Sequence, residues 1–376
     1  MLTNPIRKDW NIRIRIKMPT MAVELVGLLF LVAACGGSDS AVTGNQSATE
    51  TTPPTQRSES SPTAGVTANS SVANVDRKVG GEVGDLAPEF GGIETWINGG
   101  PLTMEELRGQ VVLIDFWTYT CINCIRTFPF LKQWNSRYSD DGLVIVGVHS
   151  PEFEFEKDYD NVVEATQNEA IAWTIAQDND FVTWRGYNNR FWPAKYLIDK
   201  DGVVRYKHFG EGGYAETEGL IRELLAEADP NFLANNLPLP EDQTVDPVFL
   251  TARDAEVTRE LYGGYERGES DLLFGRGGYV QQMQYFDSKD QVANFSITED
   301  HQPHKIYFEG AWHVGPESST HGRVTESFED YLALVYSATS VNAVLTSDSG
   351  EPYKVRITVD DEYLTDSNKG SDIIIG

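Results

Sequence analysis

Cysteine is scarce in this chain, with three among 376 residues, at positions 35, 121 and 124. Three cysteines cannot build the multi-bridge framework of a small secreted scaffold. Histidine is also sparse and shows no ligand-like spacing, so a structural zinc site, which normally needs four ligands, has no set of candidates. A c-type haem needs histidine directly after the second cysteine of a Cys-x-x-Cys pair, and here that residue is Ile125. No metal and no cofactor is therefore expected. Positive charge is short as well: 30 Lys and Arg stand against 57 Asp and Glu. So negative a surface argues against nucleic acid as a partner, and its ordinary use is solubility. Long apolar runs are missing too. The run Leu25–Ala34 is too short to cross ~30 Å of hydrocarbon comfortably.

Against these absences stands VVLIDFWTYTCINCIRTFPF, residues 111–130. It reads as a buried strand over Val111–Trp117, a tight turn, two cysteines at Cys-x-x-Cys spacing, and a helix. The helix is apolar at Ile125, Phe128, Leu131, Trp134 and Tyr138, close to a 3.6-residue period. Cys121 falls where strand gives way to helix. First-turn N–H groups and the helix dipole would point at its sulfur and favour thiolate over thiol. Cys124, one turn on, can attack a mixed disulfide formed at Cys121, which makes the pair a two-electron switch.

The third cysteine has its own setting. Arg7, Lys8, Arg13, Arg15 and Lys17 form a positive region, the apolar run follows with Glu24 at its edge, and then comes Val32-Ala33-Ala34-Cys35-Gly36-Gly37-Ser38. Small residues before a cysteine resemble the bacterial lipobox, which implies that Cys35 is lipidated and becomes the first mature residue. An ordinary cleaved signal and an uncleaved anchor are the rivals. Residues 38–77 are rich in Ser, Thr, Ala, Pro and Asn and read as a flexible tether.

Residues 81–230 read as one α/β unit. Leu102–Leu107 is expected as a short helix, Leu143–His149 as a second buried strand, and Glu154–Glu169 as a helix. Phe181–Tyr187 adds one or two helical turns. A hairpin is expected from Ala194–Asp199 through Lys200-Asp201-Gly202 to Val203–Phe209, and Tyr214–Ala228 closes as an amphipathic helix. The order βαβαββα implies a mixed sheet with helices on both faces.

GDLAPEF at 84–90, VVLIDFW, the Cys-x-x-Cys and WPAKYLID at 192–199 stand in the order found in TlpA-like thiol-disulfide oxidoreductases of bacterial envelopes, and the region resembles their thioredoxin fold. WTYTCINC and FWPAKYLID resemble the soluble half of DipZ-type proteins, in which a β-sandwich domain follows. The resemblance implies roles residue by residue. Cys121 is the exposed nucleophile and Cys124 the shielded resolving thiol. Asp115, six residues before Cys121, is a buried acid beneath Cys124 whose burial raises its pKa and suits it to take the Cys124 proton. Pro193 is a cis-proline facing the cysteines, leaving the backbone before it free to pair with a substrate strand. Trp192 stands where thioredoxins carry a smaller residue. With Trp117 and Tyr119 it would form an aromatic rim suited to extended peptide. Pro129 marks a helix kink, and His149 reads as either a loop residue or a group near the site. A peroxiredoxin would show Pro-x3-Thr-x2-Cys; Thr118 matches and Ile114 does not.

Beyond a proline-bearing connector at 231–260, short strand-like runs occur at Val292–Ile297, Lys305–Phe308, Ala311–Val314, Tyr331–Ser337, Val341–Thr346 and Tyr353–Val359. They suggest an all-β sandwich or jelly roll over 261–376. Tyr307, Trp312 and Tyr336 are candidates for a sugar-binding face or for core packing. The ending at 372–376 reads as a strand, with one or more closing strands expected beyond it. The organisation expected is a lipoprotein-type signal at 1–34, a tether at 35–80, a thioredoxin-like domain at 81–230, the connector, and the β domain.

The implied function is an envelope oxidoreductase held at the outer face of the cytoplasmic membrane by lipid on Cys35. It would exchange disulfides with extracytoplasmic proteins, apocytochrome c among the candidates, and draw on a separate membrane electron donor if it reduces them. The alternatives are a surface glycan-binding lipoprotein with an auxiliary redox domain and a thiol peroxidase.

Overall fold

A computed structural model describes residues 10–17, 26–29, 77–233, 239, 258–268, 270–271, 276–297, 300–325, 327–338, 341–345, 347, 354–370 and 373–375. Cys35, most of the tether and most of the connector lie outside these residues. Two strands precede the α/β unit in sequence, β1 (Trp10–Lys17) and β2 (Val26–Leu29). The unit itself holds β3 (Thr95–Ile97), β4 (Val111–Trp117), α1 (Ile122–Tyr138), β5 (Leu143–His149), α2 (Tyr159–Asn168), β6 (Thr174–Gln177), α3 (Val182–Gly186), β7 (Ala194–Ile198), β8 (Val204–Phe209) and α4 (Tyr214–Ala228).

Strand β4 is apolar but for Asp115 and is buried along its whole length, as a strand covered on both faces must be. It pairs in parallel with β5 and antiparallel with β7, at the centre of a six-stranded sheet ordered β3-β6-β5-β4-β7-β8. The β7–β8 hairpin and α4 fall where the sequence pattern puts them. Three features differ from expectation. The edge strand β3 and strand β6 are too short to give a readable alternation. Leu102–Leu107 makes a turn rather than a helix, with Leu107 N–H donating to Thr103 O at 3.2 Å. Glu154–Glu169 is broken. A 3-10 turn over Glu154–Lys157 ends at Asp158, whose carboxylate accepts from Asp160 N–H and Asn161 N–H at 2.9 and 3.2 Å and starts α2 afresh.

Helix α1 presents Cys124, Phe128, Leu131, Trp134 and Tyr138 to the sheet. Its far end is tied to α4 by the buried carboxylate of Glu218, which accepts from Trp134 Nε1 at 3.0 Å, Tyr138 Oη at 2.5 Å and Arg137 Nη1 at 3.1 Å. A buried carboxylate is tolerable when it is this fully hydrogen-bonded.

The C-terminal region is antiparallel β. A short pair, β9 (Ser270–Asp271) and β10 (Arg276–Gly277), precedes β11 (Val292–Phe295), β12 (Ile306–Val314), β13 (Ser319–His321), β14 (Tyr331–Tyr336), β15 (Val344–Leu345), β16 (Lys354–Val359) and β17 (Glu362–Tyr363). The two runs expected around 305–314 are one strand with three partners. Its first half pairs with β14, and its second half with β11 and β13. The change occurs at Gly310, whose φ of 89° suits glycine alone. A Cβ there would lie 2.0 Å from Asp330 Oδ1.

The N-terminal strands join this region. Strand β1 lies between β14 and β16, and β2 between β13 and β15. Read from the sequence, 10–17 supplies the charges of an export signal. The same residues, WNIRIRIK, alternate apolar and polar with period two, the pattern of a strand with one buried face. Among the described residues no helix is long and apolar enough to cross a membrane.

Gly310→Ala should destabilise the C-terminal region by at least about 1–2 kcal/mol, the penalty of the left-handed conformation alone. Urea denaturation followed through Trp312, with the tryptophans of the α/β unit replaced by phenylalanine, would measure it.

Candidate redox-active site

The site is built at the C-terminal end of β4. Phe116 pairs with Ala194 of β7, which brings the residue before it, Pro193, to the end of the strand from which the cysteine turn departs. The Trp192–Pro193 peptide bond is cis, as the resemblance implies. Pro193 O accepts from Gly210 N–H at 2.8 Å, which fastens this loop to the end of β8.

Cys121 and Cys124 form a disulfide with α-carbons 5.2 Å apart. Cys121 is the N-cap of α1, and its sulfur accepts from Cys124 N–H at 3.2 Å. That donor, with the positive end of a seventeen-residue helix behind it, would stabilise a Cys121 thiolate once the bond is reduced. Cys121 is 7 % exposed and Cys124 is fully buried. The order of access is the expected one, although Cys121 is less open than an exposed nucleophile would be.

Asp115 is fully buried on β4, between Leu113 and Trp117, which pack in one cluster with Cys121 and Cys124, and lies directly across the β4–β7 register from Lys195. The carboxylate and the ammonium are 3.5 Å apart, both shut away from water. Burial pushes the Asp115 carboxyl up to about 6, against the pull of the Lys195 charge. Burial likewise lowers the Lys195 ammonium, and Asp115 opposes it. Asp115 is thus poised to take or release a proton near neutral pH. Lys195 was missed from the sequence, yet a lysine inside the otherwise apolar run AKYLI was the available signal.

The expected aromatic rim is only partly present. Trp117 is 1 % exposed and packs edge-on against Phe128 and His149, so it belongs to the core and not to the rim. It falls at the end of a strand buried on both sides and directly under α1. Tyr119 and Trp192 are half-buried and remain at the site. Tyr119 Oη donates to Phe155 O at 3.3 Å, and Trp192 Nε1 donates to Ser150 O at 3.0 Å. His149 is fully buried, stacked on Tyr119 at 5.7 Å between ring centroids, with Nε2 3.4 Å from Thr118 Oγ1. Burial pushes it down to about 3, so it is neutral at physiological pH and shapes the wall of the cysteine loop.

A sugar-binding face on the C-terminal region is not formed by the residues considered for it. Trp312 and Tyr307 are buried, at 0 % and 3 % exposure. Trp312 packs on Phe308, and its Nε1 donates to Glu309 O at 2.9 Å. Tyr336 is half-buried against the same core. These rings pack the domain.

Residues 83–207 match the AhpC/TSA family, and residues 258–375 match the thioredoxin-like C-terminal domain. The chain is 44 % identical over 210 residues to protein DipZ of Mycobacterium bovis, a match that covers 55 % of this chain and 29 % of DipZ. It therefore spans under a third of the length of that relative. It is 32 % identical over 143 residues to the thiol-disulfide oxidoreductase YkuV of Bacillus subtilis, covering 38 % of this chain and 95 % of YkuV. A solution structure of a thioredoxin-like protein in the oxidised form is 31 % identical, with 38 % of this chain and 97 % of that one covered and a TM-score of 0.36.

If Asp115 is the base that takes the Cys124 proton, the second sulfur's attack slows as pH falls through about 6, where the carboxylate becomes protonated. Asp115→Asn should remove that inflection and slow the step by about 10²-fold or more. Lys195→Met should move the inflection upward, because it removes the charge that favours the carboxylate. Stopped-flow reduction of an aryl disulfide reads this step as release of the second aryl thiolate.

Proposed function

The chain belongs to the thioredoxin-like thiol-disulfide oxidoreductases, and on that footing we propose that it exchanges its Cys121–Cys124 couple with disulfides of proteins outside the cytoplasm, as a reductant. The observation that carries the reading is one constellation. A disulfide caps a helix, one sulfur is better covered than the other, Asp115 holds a raised carboxyl on the strand that leads to it, and a cis-proline loop stands at the same strand end.

The chemistry follows from the positions. The Cys121 thiolate attacks one sulfur of a substrate disulfide, and the other substrate sulfur leaves as thiolate. Asp115 takes the Cys124 proton. Cys124 then attacks the Cys121 sulfur of the mixed disulfide and expels the second substrate thiolate. Two electrons have passed to the substrate, and the protein is left as the disulfide described above. Tyr119 and Trp192 flank the cysteine turn and the proline loop, and we assign them to the substrate groove. The backbone before Pro193 would pair with an extended substrate segment.

Placement in the envelope, with lipid on Cys35 and a separate membrane donor of electrons, is part of the same proposal; maturation at Cys35 would remove β1 and β2 from the strands they pair with here. Apocytochrome c is one substrate of fitting chemistry, because its haem-binding cysteines must be reduced before haem attaches. The C-terminal region is proposed as a β-sandwich. A second reading, thiol peroxidase, draws on the AhpC/TSA match and on Thr118, and the isoleucine at 114 weighs against it.

Cys121→Ser should abolish insulin or apocytochrome reduction, and Cys124→Ser should accumulate the mixed disulfide at Cys121. Titration against glutathione should give a potential near or below about -270 mV, whereas a value of about -120 mV would mark an oxidant. Peroxide consumption as fast as disulfide reduction would favour the peroxidase instead. Mass spectrometry of the membrane fraction should find a mature chain that begins with lipidated Cys35. An unmodified chain that retains Trp10–Lys17 would refute the lipid anchor.

A further inference from the structure

We propose that the C-terminal β region is a working part of the redox site. Through the segment 152–156, it holds the loop that carries Cys121 in register with the start of α1. This rests on the reading of Cys121 as the nucleophile and adds to it a positioning role for Phe153, Glu156 and Tyr262.

The segment faces two ways. On one side it is embedded in the C-terminal region. Phe153 is 3 % exposed and sits in the same apolar cluster as Leu261, Tyr262 and Trp312. The Arg267 guanidinium lies over the Phe153 and Tyr262 rings, 5.5 and 4.7 Å from their centroids, and pairs with the Glu152 carboxylate. The Tyr262 hydroxyl stands 3.0 Å from Glu152 Oε1 and 3.1 Å from Glu260 Oε2, so it can donate to either carboxylate, one at a time. Glu154 N–H donates to Glu317 Oε2 at 2.9 Å.

On the other side the segment grips the cysteine loop. Glu156 is fully buried. Its Oε1 accepts from Thr120 Oγ1 at 2.6 Å and Thr120 N–H at 3.3 Å, and its Oε2 accepts from Glu152 N–H at 2.6 Å and Phe153 N–H at 3.0 Å. One carboxylate therefore ties the residue before Cys121 to the residue lodged in the C-terminal core. Tyr119 Oη adds a bond from the same loop to Phe155 O. Burying a carboxylate is costly unless it is hydrogen-bonded, and all four donors here come from the two segments it joins. Neither the cysteine chemistry nor the closing of the six-stranded sheet requires this link.

The consequence has a sign. The Cys121 sulfur is stabilised as thiolate by its alignment with the N-terminus of α1, and a stabilised thiolate favours the reduced form. Loosening the loop should raise the Cys121 pKa and shift the couple toward the disulfide. Two uncharged changes test this in the full chain, Phe153→Ala and Tyr262→Phe. Each should raise the pH midpoint of Cys121 alkylation and lower the equilibrium constant for reduction by glutathione at least threefold. That is about 14 mV, at ~30 mV per tenfold for a two-electron couple. Glu156→Gln should move both readouts the same way. Loss of a nearby negative charge alone would lower the Cys121 pKa, so that opposite sign would overturn the tether.

A shift below threefold in both uncharged variants overturns the proposal. If Phe153→Ala loses its near-ultraviolet dichroism, Tyr262→Phe decides alone on the same threshold. A wild-type couple that never equilibrates with glutathione would refute the redox reading itself, a result distinct from equal constants in wild type and variants.

Discussion

Strand β4 is paired along both edges and covered on both faces, and every functional group is placed by reference to it. The parallel ladder to β5 and the antiparallel ladder to β7 leave it no freedom to slip, because a one-residue shift would exchange its two faces. Its last residue leads into the cysteine turn. Its register with β7 sets Lys195 opposite Asp115 and delivers Pro193 to the same end of the sheet. The helix that follows can begin only where the strand stops, and so the nucleophile is the residue that caps it.

Three of the buried carboxylates in the α/β unit show how burial is put to different uses. Glu218 is filled by tryptophan, tyrosine and arginine donors and fastens one helix to another. Glu156 is filled by donors from two segments and fastens loop to loop. Among the described residues Asp115 has no hydrogen-bond partner for either oxygen and faces the Lys195 ammonium at 3.5 Å. Against the effect of burial, its donors hold Glu218 below the usual carboxylate range, whereas burial raises Glu156 in spite of its donors and pushes Asp115 up to about 6. What sets Asp115 apart is under-satisfaction on the strand that leads to the dithiol, and its proposed role as a base rests on that.

The C-terminal region shows where pattern reading loses its grip. Its runs were readable as short strands, yet the sequence could not say that two of them are halves of one strand bent at Gly310. Nor could it separate rings that pack a core from rings that line a face. Tyr307 and Trp312 are aromatic residues in alternating strands under either reading, and only their neighbours decide. Trp117 poses the same problem at the redox site. The segment 10–17 satisfies two patterns at once, the positive start of a leader and a half-buried strand, and its pairing with β14 and β16 depends on partners more than three hundred residues away.

The proline loop was legible through the resemblance to TlpA-like proteins, whereas by itself the amino-acid sequence determined the chemistry-bearing pair, the strand that leads to it and the helix that follows. Each is written in local spacing, and local spacing acts through hydrogen bonds and burial within a few residues. Tertiary structure alone decided the partner of Asp115, the inward turn of Glu156 and the place of Phe153 in a second core. These depend on which distant strand lies alongside and which side chain fills the remaining space. Such contacts are set by packing across the whole chain, where no fixed interval in the sequence marks the two members of a pair.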